Sequence, residues 1–254
     1  MAGEPIIQVR NLTAGYGSTV ILKEITFDVR AGEVFAILGG SGSGKSTLLK
    51  HMIGLQRPLG GSVVVDGTDI VTAGGDEQLA VLRKIGVAYQ SGALFGSMTI
   101  LSNVALVLEE FTDLPREAIE VIAQMKLKAV GLQAAAYKMP AELSGGMRKR
   151  AAIARALALD PKILFLDEPS AGLDPITSAQ LDELVLELSR SLGVTFVIVT
   201  HELPSIFAVA DRAIMVDKET RTIIADGRPQ ELREHSEHPM VRQFFQRRAE
   251  KPNA

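Results

Sequence analysis

The chain has 254 residues, 46% of them hydrophobic and 22% charged, an ordinary composition for a globular protein with a sizeable core. Its formal charge of −3 offers no overall positive field to attract a polyanion, so no nucleic-acid partner is expected. There is no cysteine, which excludes disulfides and thiolate metal sites and suits a reducing cytosol.

Met1–Arg10 shows no basic stretch followed by an apolar one, so no export signal is expected. Ile6–Arg10 and Ile25–Arg30 alternate apolar and polar residues and predict strands of an antiparallel layer. Val34–Leu38 is continuously apolar and stops at glycine, as a strand buried on both faces does, and a helix is expected from Gly44 to about Ile53. Pro58-Leu59-Gly60-Gly61 is turn chemistry, Ser62–Asp66 reads as a strand, and Ile85–Tyr89 as another that ends at Gln90.

From Thr99 to Leu159 the period becomes helical, broken at Pro115 and Pro140, with a last helix from Gly145 to about Leu159. Strand and helix then alternate: Ile163–Leu166, Pro175–Leu192, Val194–Val199, Pro204–Ala210 and a closing hairpin over Ala213–Asp226. The longest apolar runs, such as Val194–Val199, fall far short of the ~20 residues that span a bilayer, so a membrane role is expected only through a partner. The pattern predicts an α/β fold with a mostly parallel sheet, an antiparallel β layer and an inserted α-helical subdomain.

Gly39-Gly40-Ser41-Gly42-Ser43-Gly44-Lys45-Ser46 fits G-x-x-x-x-G-K-[ST], with a strand before it and a helix after it, and Thr47 follows. Such glycines let backbone N–H groups converge on phosphate oxygens, while Lys45 reaches the β- and γ-phosphates and the Ser46 hydroxyl binds Mg²⁺. Asp167-Glu168 ends an apolar strand; two acids there call for a cation, with Asp167 on the metal and Glu168 orienting water. Gln90 and His201 each follow a strand end, where the amide reaches metal or water and the imidazole reaches phosphate. Tyr16, flanked by Gly15 and Gly17, offers a ring for stacking on adenine. Arg148-Lys149-Arg150 and Arg247-Arg248 read as solvated helix faces.

Read in order with Leu143-Ser144-Gly145-Gly146 and Ser170-Ala171-Gly172-Leu173-Asp174, these residues resemble the full motif set of ATP-binding-cassette (ABC) nucleotide-binding subunits over nearly the whole chain. The resemblance implies an ABC-type P-loop NTPase core over 1–90 and 161–234, a helical subdomain over 91–160 and a tail over 235–254. It implies an ATP hydrolase using Mg²⁺. A second copy of the chain would then complete each site, its Ser144, Gly145 and Gly146 closing over the γ-phosphate held by Lys45, with Asp174 at the interface. A membrane permease would dock near Gln90–Met98, where Ala93, Leu94, Phe95 and Met98 form an apolar cluster that could equally be core.

Met147 stands where the family has glutamine and cannot donate a hydrogen bond. Leu-Ser-Gly-Gly-Met-Arg-Lys-Arg, Gln90–Phe95 and His201–Phe207 resemble the Mla-type lipid-transport branch. That branch implies phospholipid transport in a bacterial envelope, MCE-domain and small regulatory subunits as further partners, and a place on the cytoplasmic face of the inner membrane. The alternatives are the ATPase of a polar-solute importer and a soluble ABC scaffold without a permease. Val241, Phe244 and Phe245 in the tail would stabilise a dimer or cover their own chain.

Overall fold

The computed structural model describes residues 4–246, which fall into two units: one built from Met1–Gly74 and Ile198–Ala254, the other from Gly75–Val197.

In the first unit, β1 (Pro5–Tyr16) and β2 (Thr19–Arg30) run well beyond the short strands expected from alternation. The reason is a bulge. Between Val9 and Leu12 the register slips, Asn11 turns to φ 47°, and the buried set restarts at Leu12 and Ala14. Glu24 (φ 54°) lies between the paired positions Leu22 and Ile25 on β2. A phase reset of this kind hides a strand from any period-two reading. β3 (Val34–Leu38) is buried at all five residues and feeds α1 (Lys45–Met52). β4 (Gly60–Val65) and β5 (Thr68–Asp69) complete an antiparallel sheet of order β2-β1-β4-β5.

The second unit opens with α2 (Gly75–Leu82), an element the sequence did not predict, followed by β6 (Ile85–Ala88). The helical stretch resolves into α3 (Ile100–Phe111), α4 (Arg116–Ala129) and α5 (Gly145–Ala156), with two short 3₁₀ turns between the last two. α5 stops at Ala156, three residues short of the expected end. β7 (Ile163–Asp167) pairs in parallel with β6, and α6 (Pro175–Leu192) ends on a left-handed Gly193 at φ 66°. β8 (Thr195–Val199) carries the boundary back to the first unit.

There, α7 (Leu203–Val209), β9 (Arg212–Val216), β10 (Ile223–Gly227), α8 (Pro229–His235) and α9 (Pro239–Gln246) follow. β3 lies parallel to β9, and β10 returns antiparallel to it, as the closing hairpin predicted. α9 settles the described part of the tail. Val241 and Phe245 are buried with Leu38, Ile206, Met215 and Leu232, and Phe245 packs 5.7 Å from the Phe207 ring centroid. The aromatic pair therefore covers its own chain; Arg247-Arg248 lie outside the described residues.

Among the described residues, no helix is long and apolar enough to cross a membrane. Phe245→Ala is expected to lower the unfolding free energy by about 3 kcal/mol in urea titrations while leaving self-association on gel filtration unchanged. Lost self-association with an unaltered melt would instead put Phe245 at a subunit contact.

Candidate functional site

β3 hands the chain to Gly39–Ser46 just where β9 ends. Gly39 (φ 152°) is buried, and a Cβ there would strike Val216 O and lie 2.5 Å from Ser43 Oγ, so only glycine passes. Gly44 (φ 98°) takes the left-handed N-cap of α1. Lys45 is buried, and its Nζ donates to Gly39 O at 2.9 Å and Gly40 O at 3.0 Å, folding the ammonium back onto its own loop. Ser43 Oγ is buried without a hydrogen-bond partner. An orphaned hydroxyl, an ammonium folded onto loop carbonyls and a loop of small residues fit a polyanionic group such as a phosphate chain. At the same edge, Thr200 N donates to Ile37 O at 3.3 Å, so the exposed His201 leaves the sheet beside this loop.

Tyr16 ends β1, 42% exposed, with its hydroxyl sharing a 3.4 Å hydrogen bond with Thr47 Oγ1 and accepting from Lys50 Nζ at 3.5 Å. The Thr47 contact, opposed by partial burial and aided by Lys50, holds the phenol below its usual pKa. What fixes Tyr16 is its neighbour. Gly15 N donates to Nε2 of the wholly buried His51 at 3.1 Å, and Gln56 Nε2 donates to Gly15 O at 2.7 Å. His51 Nε2 must then be the acceptor, leaving the proton on Nδ1 to bond Gln56 O at 2.8 Å. Burial pushes the His51 pKa down, against the contact to Gln56 O.

The second unit gathers the other predicted residues by the same strand logic. Ala88 pairs with Leu166, so Gln90 and Asp167-Glu168 leave one end of two parallel strands. Glu168 sits at φ 47°, a left-handed backbone uncommon outside glycine and asparagine. Ser144 caps α5, its Oγ accepting from Met147 N at 3.2 Å. Asp174 caps α6 in the same way, accepting from Ile176 N and Thr177 N at 3.0 Å each and from the Thr177 hydroxyl at 2.5 Å. The hydroxyl contact leads the causes that hold its carboxyl below the usual range. The two capped ends touch. A Cβ on Gly146 would collide with Thr177 Cγ2, and one on Gly145 would meet Leu173 at 3.4 Å. The first unit thus holds Tyr16, Gly39 to Thr47 and His201, while the second holds Gln90, Ser144 to Gly146, Asp167, Glu168 and Asp174.

The ABC transporter family pattern matches residues 22–171, which take in Gly39 to Thr47, Gln90, Ser144 to Gly146 and Asp167-Glu168. The chain belongs to the ABC transporter family. It is 41% identical to the Escherichia coli K12 "Intermembrane phospholipid transport system ATP-binding protein MlaF" over 97% of this chain and 91% of that protein. Identity is 43% to the Mycobacterium leprae "Probable ribonucleotide transport ATP-binding protein mkl", over 94% of this chain and 68% of that protein. Among solved structures, the dimeric post-hydrolysis state of the ATP-binding cassette MJ0796 bound to ADP and Pi superposes with TM-score 0.78 at 32% identity, covering 87% and 98% of the two chains. As an ABC cassette, the chain is an ATP-binding ATP hydrolase.

The structure also uses residues the sequence reading passed over. His51 looked like one more position on α1. Lys149 looked like part of a solvated face and Arg155 carried no reading, yet both donate to loop carbonyls: Lys149 to Gln90 O and Glu168 O, and Arg155 to Gly92 O and Ala93 O. Asn103, wholly buried, accepts from Phe95 N and donates to Phe95 O, Met98 O and Thr99 O, holding the Phe95–Thr99 segment in shape. Phe95 remains 51% exposed on that segment, and Leu94 is half-buried.

Because the folded state lowers the His51 pKa, the ring resists a proton that the unfolded chain accepts below about pH 6.5. This contribution to stability is full above that pH and is lost as pH falls towards the lowered folded value. The urea midpoint should therefore drop more between about pH 7.5 and 5.5 in the wild type than in His51→Gln. Equal drops would remove the buried imidazole as the cause.

Proposed function

We propose that the chain is the ATPase subunit of a bacterial envelope transporter that moves phospholipid between membranes, working as a head-to-tail pair at the cytoplasmic face of the inner membrane. The observation that carries this reading is the likeness to MlaF, which extends over nearly the full length of both chains. The dimeric MJ0796 cassette supports the pairing. The core would span 1–90 and 161–234, with 91–160 as the helical subdomain and 235–254 as the tail. MCE-domain and small regulatory subunits would complete the assembly.

The residues divide the work. Gly39 to Gly44, through their N–H groups, and the Lys45 ammonium would bind the phosphate chain, and the Tyr16 ring would stack on adenine. Among the described residues no three His, Cys, Asp or Glu side chains cluster to hold a metal by themselves. Ser46, Asp167 and Gln90 would instead contribute a hydroxyl, a carboxylate and an amide oxygen, the hard oxygen donors that suit Mg²⁺, with phosphate and water completing its shell. When bound, Mg²⁺ neutralises charge that develops on the phosphates.

Glu168 would orient the attacking water and accept its proton, and its left-handed backbone fixes where the carboxylate starts. His201 would hydrogen-bond the γ-phosphate. Ser144 and Gly146 of the second copy would supply the capped start of α5, where unpaired N–H groups and the helix dipole favour an anion. Asp174 would meet the second copy beside it. Because the γ-phosphate is the group both copies bind, ATP would hold the pair shut and ADP would release it. The exposed Phe95, on a segment held by Asn103, would receive an apolar helix of the permease.

The mkl likeness favours a second reading, a ribonucleotide or other polar cargo. Lipid mass spectrometry of the purified membrane complex separates the two: co-purified phospholipid supports the first, and its absence with nucleoside transport supports the second. Isolation with soluble partners alone would favour a scaffold.

Glu168→Gln should keep ATP affinity, lower kcat by at least about 100-fold and accumulate ATP-bound dimers on gel filtration. Near-normal turnover would remove Glu168 from its role. Phe95→Asp should leave ATPase activity and solubility intact but abolish membrane recruitment in cell fractionation; unchanged recruitment would place the permease elsewhere.

A further inference from the structure

Lys149 lies on α5, five residues after Ser144, and is half-buried. Its Nζ donates to Gln90 O at 2.6 Å and to Glu168 O at 3.0 Å. Those two carbonyls belong to residues just past the ends of the paired strands β6 and β7. Glu168 O also accepts from Ala171 N at 3.2 Å, so its left-handed backbone is gripped from two directions. Strained backbone persists only where its surroundings over-determine it, and here one ammonium supplies part of that grip. Six residues further along the same helix, Arg155 holds Gly92 O at 3.1 Å and Ala93 O at 2.7 Å, with Ala93 itself at φ 47°. The helix that begins with Gly145-Gly146 thus holds the Gln90–Ala93 loop at two points and the Glu168 backbone at one.

We propose that Lys149 is a positioning residue, a cationic strut that fixes the Glu168 backbone against the Gln90 loop and the helix of the Leu-Ser-Gly-Gly segment. This rests on the reading of the chain as an ATP hydrolase with Glu168 orienting water. The chemistry asks for a long, charged donor. An ammonium has three N–H groups and can serve two carbonyls at once, and charge-assisted bonds are roughly twice as strong as neutral ones. Burial lowers the Lys149 pKa, while the nearby Glu168 and Asp167 carboxylates pull it back up. The strut gives mechanical continuity: a shift of the loop that bears Phe95 reaches Glu168 through one side chain. Arginine can bridge the same carbonyls with its fork, and methionine, of similar length, cannot donate at all.

The test uses the full-length protein in the complex it purifies with, measuring steady-state ATPase rates and binding of a non-hydrolysable ATP analogue. Lys149→Met should lower kcat by about 10-fold or more while analogue affinity and KM stay within about 2-fold, because the nucleotide contacts are untouched. Lys149→Arg should recover most of the rate. In a Glu168→Gln background, single-turnover rates should show no further loss on adding Lys149→Met, since the strut acts through Glu168.

A Lys149→Met kcat within about 2-fold of wild type would overturn the inference alone, as would equal losses of affinity and rate or a full additive loss in the Glu168→Gln background. A wild-type complex that hydrolyses no ATP would overturn the functional reading and this inference with it.

Discussion

A parallel β-strand releases its chain at the same end as its neighbour, and this constraint organises both units. In the first unit, β3 lies parallel to β9, so the loop at Gly39 opens where β9 finishes at Val216. In the second, β6 lies parallel to β7, so Gln90 and Glu168 emerge side by side. Loops at the carboxyl ends of parallel strands sit on a rigid base with their backbone groups freed from the ladder, which is what phosphate and metal chemistry requires. Each unit therefore presents its reactive groups at the ends of regular elements or in the loops that join them.

The freed backbone must then be held, and the chain does this with side chains that bond to carbonyls and amides. His51 and Gln56 hold both polar groups of Gly15, Asn103 holds the loop around Phe95, and Arg155 and Lys149 hold the segment from Gln90 to Ala93. A buried polar side chain is costly unless satisfied, and each of these is satisfied by a loop that would otherwise lack a defined shape. The cost of burying them is offset by bonds that also fix the geometry of the site. α5 is central because it contributes Ser144 at its start and two loop-holding cations along its length.

An ABC transporter subunit must turn nucleotide chemistry into displacement, and the distribution of its groups suits that task. Lys45, the hydroxyls of Ser43, Ser46 and Thr47, and Tyr16 belong to one unit; Asp167, Glu168, Gln90 and the capped starts of α5 and α6 belong to the other. α5 and α6 bring Ser144 and Asp174 together through the packing of Gly145 and Gly146 on Leu173 and Thr177, leaving no room for a side chain at Gly146.

The local motifs were legible from sequence because their chemistry is set by covalent spacing. Gly39 to Ser46 between an apolar strand and a helix, Asp167-Glu168 at a strand end and Ser144 before Gly145 each declare themselves within a few residues. The strand extents were not legible, since bulges at Asn11 and Glu24 shift the phase of burial in a way no fixed period reveals. Nor were the partners of His51, Asn103, Lys149 and Arg155. Lys149 is 59 positions from Gln90 and 19 from Glu168, and only the parallel pairing of β6 and β7 brings those carbonyls within reach of one ammonium. The sequence by itself determined which groups could do chemistry. Tertiary structure decided which of them are held still, because that depends on contacts between distant segments, and such contacts leave no period or spacing along the chain.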